Sequence, residues 1–92
     1  MRYPCPCCGY LTYTEPPCGE YEICPVCFWE DDPIQKEYPD KDGGANEVCL
    51  NQAKINFRTF GACEERCIPF VRLPKPEEYP TDFEKRAKQE KL

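Results

Sequence analysis

Two Cys-x-x-Cys turns, an amphipathic stretch in the second half and a short, proline-rich chain predict a small α+β fold. The expected architecture is a pair of metal knuckles on an N-terminal β-hairpin, one or two helices packed beside it, and a polar C-terminal tail. The turns are Cys5-Pro6-Cys7-Cys8 and Cys24-Pro25-Val26-Cys27, with fifteen residues between Cys8 and Cys24, an interval that suits a four-thiolate site. The apolar stripe is Leu50, Ala53, Phe57 and Phe60, at helical spacing. Ninety-two residues bury only a modest core, so a staple is needed.

Cysteine chemistry supplies the staple. Nine cysteines stand against no histidine and no serine, which removes a Ser-His-Asp triad, a His-containing zinc protease site and a Cys nucleophile with an imidazole base. The expected ligands are Cys5, Cys8, Cys24 and Cys27, holding one structural ion, zinc first and iron as the alternative. The competing set replaces Cys5 or Cys8 with Cys7. With all four positions filled by protein, no site is left for water or substrate, so the expectation is a protein that is not an enzyme.

The compartment expected is the cytoplasm. Met1-Arg2-Tyr3-Pro4-Cys5 has no apolar run after its single base, unlike a secretory signal, and no stretch is long enough to span a membrane. In a reducing compartment, paired Cys-x-x-Cys units point to metal before disulfide, and an odd number of thiols cannot all pair within one chain. Charge is uneven. Residues 1–47 carry ten acids and three bases, whereas residues 48–92 carry seven acids and nine bases. A ribbon with a net charge of −7 before its thiolates are counted is repelled by phosphate, which argues against nucleic acid.

Each element has its own signals. Pro6 and Pro25 pre-set the knuckles, and Gly9 supplies the left-handed residue that closes the first. Phe28 occupies the equivalent place in the second, so that turn is expected to close differently or to run into a helical step. Tyr10-Leu11-Thr12-Tyr13-Thr14 and Glu20-Tyr21-Glu22-Ile23, separated by Glu15-Pro16-Pro17-Cys18-Gly19, read as the two arms of the hairpin. Trp29 and Phe28 are expected to pack over the metal, while Glu30, Asp31 and Asp32 begin a helical turn ended near Pro33. A cation or a basic partner is the functional alternative for those acids.

Residues 33–48 read as an acidic loop. Asp40-x-Asp42-Gly43 fails as a calcium loop because Tyr38 and Cys49 stand where carboxylates are needed. The main helix begins near Cys49, with Asn46 or Cys49 as N-cap and Gly61 as C-terminal cap. A second short helix over residues 62–67 would put Cys63 and Cys67 on one face, a spacing able to ligate metal. No spacing demands that site, and Cys7, Cys18 and Cys49 are not assigned to it. Residues 68–74 read as an extended strap. Thr81-Asp82-Phe83-Glu84 opens a charged helix toward Leu92. The domain is expected over residues 1–74, with a partly helical or frayed charged tail over residues 75–92.

Cys5-Pro6-Cys7-Cys8-Gly9-Tyr10, Tyr21-Glu22-Ile23-Cys24-Pro25-Val26-Cys27-Phe28-Trp29-Glu30-Asp31-Asp32, Gly43-Gly44-Ala45-Asn46 and Phe60-Gly61-Ala62-Cys63-Glu64 resemble the bacterial cysteine-rich CPCC family over roughly residues 3–74. That resemblance implies a bacterial setting and a shared motif set, and no activity. The knuckles are also similar to those of rubredoxin, which implies iron and one-electron transfer. The shorter interval and Phe28 in place of glycine depart from rubredoxin. A glutaredoxin-like dithiol at Cys24 and Cys27 would leave Cys5 and Cys8 unexplained. The expected function is a small zinc-binding domain acting as a protein-interaction module, with a basic partner the kind its acidic half would suit. The alternatives are an iron electron carrier and a nucleic-acid-binding zinc ribbon.

Overall fold

A computed structural model describes residues 2–80. In chain order it has two cysteine knuckles, a short helix α1 (Pro33–Glu37), a longer helix α2 (Leu50–Phe60) and two 3₁₀ helices, Glu65–Phe70 and Pro76–Glu78. No strand longer than an isolated bridge occurs among the described residues.

The expected β-hairpin is absent, because each of its arms pairs within its own knuckle. Around the first, Tyr3 and Tyr13 form an antiparallel bridge, exchanging N–H···O bonds of 2.8 and 3.2 Å. Around the second, Ile23 bridges Glu30, with Tyr21 N–H donating to Asp31 O and Asp31 N–H donating to Glu22 O. Residues 10–14 and 20–23 therefore have their backbone groups committed before they can meet. Leu11 N–H is also taken, by Glu78 O at 2.7 Å. What joins the two knuckles is side-chain chemistry: Tyr13 Oη donates to Glu22 O at 3.2 Å, and the Thr12 hydroxyl lies 3.1 Å from Cys24 Sγ.

Pro33 opens a helix where the sequence suggested that it would end one. Asp32 is the N-cap of α1, its Oδ1 accepting from the N–H groups of Ile34 and Gln35. Proline at the first helical position lacks an N–H that would be orphaned there anyway. Gln35, fully buried, then organises the loop that follows. Its Nε2 donates to the carbonyls of Lys41, Asn46 and Val48, and its Oε1 accepts from Asn46 N and Nδ2. Asn46 also exchanges side-chain bonds with the backbone of Glu30. The acidic loop is thus folded around two buried amides. Gly44 is required by that packing, since a Cβ there would stand 2.6 Å from Asp32 Oδ2 and 2.7 Å from Gln35 Cδ.

Helix α2 is capped at its start by the Cys49 sulfur, which accepts from Gln52 N–H at 3.4 Å, and at its end by Gly61. Leu50 and Ala53 are buried and Phe57 and Phe60 half-buried, so the predicted stripe faces the core. The centre of that core is Trp29, Val26 and the buried cysteines of the knuckles. Beyond α2, the expected α-helical turn at residues 62–67 is replaced by the 3₁₀ helix Glu65–Phe70, which contains Pro69 and so cannot complete a regular i→i−4 ladder. An extended chain resumes at Val71, and Arg72 N–H donates to Pro25 O at 3.1 Å.

Past residue 74 the chain stays attached through Glu78. Its carboxylate is buried and receives both Arg72 Nη atoms, at 2.8 and 2.9 Å, and Lys75 N–H at 2.8 Å, with Arg2 3.8 Å away. Arg72 holds this carboxyl at about 2, well below its ordinary value. The expected helix from Thr81 lies outside the described residues.

Candidate metal centre

Four sulfurs converge where the knuckles meet. One ligand atom each from Cys5, Cys8, Cys24 and Cys27 lies within 4.8 Å of all the others. Cys5 Sγ and Cys27 Sγ are 3.6 Å apart, and Cys8 Sγ and Cys24 Sγ 3.8 Å. Zinc–sulfur bonds of about 2.3 Å in a tetrahedron place sulfurs about 3.8 Å apart. Those two pairs already have the spacing of a tetrathiolate site, and the remaining pairs lie within 4.8 Å.

Both knuckles reach that geometry by the same backbone route. In the first, Cys5 N–H donates to Tyr10 O and Gly9 N–H donates back to Cys5 O; in the second, Cys24 N–H donates to Trp29 O and Phe28 N–H donates to Cys24 O. The closing residue is left-handed in both, Gly9 at φ 81° and Phe28 at φ 70°. The second knuckle thus does not close differently, as its phenylalanine suggested it would. Phe28 accepts a backbone conformation that disfavours side chains, and its ring is held against Phe70, with centroids 5.4 Å apart.

The sulfurs are also supplied with donors. Cys7 N–H points to Cys5 Sγ at 3.4 Å and Trp29 N–H to Cys27 Sγ at 3.5 Å. Bonds of this kind favour thiolate over thiol and orient a ligand. The Thr12 hydroxyl on Cys24 adds another. Nothing in the spacing of the sequence marks Thr12, because its approach depends on how the two knuckles are brought together.

Charge in the cluster is shared. Hydrogen bonds from Cys27, Cys5 and Cys8 pull the Cys24 thiol well below its ordinary value. Cys27 and Cys8 are pushed up, each chiefly through its hydrogen bond with Cys24. One thiolate is welcome in this buried space, and a second beside it meets like-charge repulsion. A bound cation relieves that repulsion, which is why four cysteines at this distance suit metal better than any apolar role.

The remaining five cysteines lie outside this group. Cys7 is buried in the first knuckle, Cys18 is exposed, Cys49 caps α2, and Cys63 and Cys67 are buried beyond that helix. No helix among the described residues is long and apolar enough to cross a membrane.

Fold and site together define a small, cysteine-rich protein with few helices among its described residues, whose N-terminal four-cysteine cluster can hold a metal ion. The chain belongs to the family described as Cysteine-rich CPCC, which matches residues 3–78. No curated protein matches it.

Proposed function

We propose that the chain is a zinc-binding module in which Cys5, Cys8, Cys24 and Cys27 hold one structural ion, and that it serves as a non-enzymatic protein-interaction domain in a bacterial cytoplasm. The observation that carries the metal reading is the convergence of four sulfurs, three of them buried, from two knuckles of like geometry. Four protein thiolates around one ion leave no position for substrate, which favours a structural role. Binding then contributes to folding, on the order of 10 kcal/mol as in other small zinc modules.

Exposed apolar side chains support the interaction reading. Phe70 is 63% and Leu73 87% exposed, and Ile68 stands on the same stretch of chain. Three large apolar side chains exposed within six consecutive residues give a partner something to cover. The acidic first half favours a basic partner and disfavours phosphate.

Elemental analysis of protein purified without added metal, with a visible spectrum of the same sample, tests the reading. One zinc per chain and no colour is expected. One iron per chain with thiolate-to-iron absorption would replace the proposal with a rubredoxin-like electron carrier. A folded protein with no metal and freely titrating thiols would refute both. Cys5→Ser and Cys8→Ser should each lose the ion and unfold the domain. Cys7→Ser should leave stoichiometry unchanged, and loss of metal in that variant alone would overturn the ligand assignment.

A further inference from the structure

A second convergence of ligand atoms lies beyond α2 and uses none of the four cysteines above. Cys63, Glu64 and Cys67 each place one ligand atom within 4.8 Å of the other two, and all three residues are buried. The stretch is short enough to act as a chelating loop. Cys67 N–H donates to Glu64 O at 3.0 Å, which closes the turn, and Cys63 N–H donates to Cys27 O at 2.8 Å, which fixes its start to the second knuckle.

The Glu64 carboxylate is oriented from outside the cluster. Arg66 donates Nε to its Oε1 at 3.0 Å and Nη2 to its Oε2 at 3.2 Å, and Glu47 N–H donates to Oε2 at 3.3 Å. Supporting bonds of this kind are typical of a carboxylate that ligates metal, and lone pairs remain for an ion. Arg66 and Glu47 N–H already compensate the burial of this carboxylate, so it stands ready as an anion beside two buried sulfurs. As ligands, two thiolates and one carboxylate carry a charge of −3. A divalent ion and the Arg66 guanidinium together cancel it.

We propose that Cys63, Glu64 and Cys67 form a second metal site, selective for a thiophilic divalent cation of the zinc or cadmium type, with the fourth position left to water or a small ligand. Two thiolates set that preference over magnesium or calcium. Three protein ligands make this the weaker of the two sites, filling after the tetrathiolate one.

The test uses the full chain, reduced and stripped of metal, titrated with Cd²⁺ and followed by native mass spectrometry and ¹¹³Cd NMR. Two equivalents are expected, giving one resonance characteristic of four sulfurs and a second shifted toward fewer. Cys67→Ser should keep the first equivalent and lose the second. Arg66→Met, which removes the guanidinium that orients Glu64 and balances part of the site's charge, should weaken the second about 10- to 100-fold. Binding that stops at one equivalent with a single four-sulfur resonance would overturn this proposal and leave the first site intact. Loss of the four-sulfur resonance with the other retained would refute the first site alone. The wild-type spectrum decides even where a variant fails to fold, and a second equivalent that survives in folded Cys63→Ser/Cys67→Ser would also overturn the assignment.

Discussion

Phe28→Ala and Phe28→Gly remove the same ring, yet they should differ in stability because Phe28 sits at φ 70°. Left-handed backbone costs an L-residue roughly 1–2 kcal/mol. Glycine escapes that cost but gives back about 0.4–1 kcal/mol through the freedom it adds to the unfolded chain. The glycine variant should therefore be the more stable by about 0.5–1 kcal/mol. Phe28→Ala keeps that strain and loses the ring pair, so it should lie below wild type by at least the pair's edge of about 0.5–1.5 kcal/mol beyond burial. Gly9→Ala is the mirror experiment. No atom lies within 4 Å of the added Cβ, so its loss of about 1 kcal/mol is conformational and not steric. Urea unfolding at a fixed excess of free zinc measures all three, because bound metal adds to apparent stability by mass action. Phe28→Ala equal to or more stable than Phe28→Gly would refute the claim that both knuckles close through a left-handed residue.

Gln35→Ala should cost at least about 3 kcal/mol in urea unfolding, since it strands the carbonyls of Lys41, Asn46 and Val48 that Nε2 now satisfies. Gly44→Ala forces a Cβ onto Asp32 and Gln35 and should cost about 1–3 kcal/mol; a neutral result would show that this loop can move aside. Glu78 contributes a pH dependence of known sign. Its folded value of about 2 lies below the ordinary 4.5, so its contribution is full above pH 4.5 and is lost as pH falls from there toward 2. Stability of wild type minus that of Glu78→Gln should shrink through that window, and a difference independent of pH would show that the Arg72 pairing is not what holds the chain end.

What the sequence discloses is local, and what it conceals is pairing. Cys-x-x-Cys spacing and the stripe Leu50, Ala53, Phe57 and Phe60 depend on residues a few positions apart, and the helix lies where its period and its caps place it. Residues 10–14 and 20–23 suit any antiparallel neighbour, so their pattern reads as a hairpin, and the preference for Tyr3 and for Glu30 is decided only by the knuckle between. Proline is ambiguous in the same way. Pro33 reads as a stop until Asp32 is seen capping the turn that it opens. Phe28 shows the limit of local steric rules, since the bridge around it and the Phe70 ring override its preference. Cys49 was legible as a cap because its place three residues before Gln52 is a sequence feature.

The backs of both knuckles are closed by chain that is synthesised well after them. Glu78 reaches Leu11, Arg72 reaches Pro25 and Cys63 reaches Cys27, spans of 67, 47 and 36 residues. During translation the four thiols of the N-terminal half leave the ribosome well before the segments that wall them in. Metal capture is open to the nascent chain from the moment Cys27 emerges, whereas the wall waits for residues 63–78. Closure over such separations is the slow part of folding. A chain cut short before residue 72 would keep every ligand of the first site and lack two of the three bonds that shield it, making early truncation a defect of protection before it is one of chemistry.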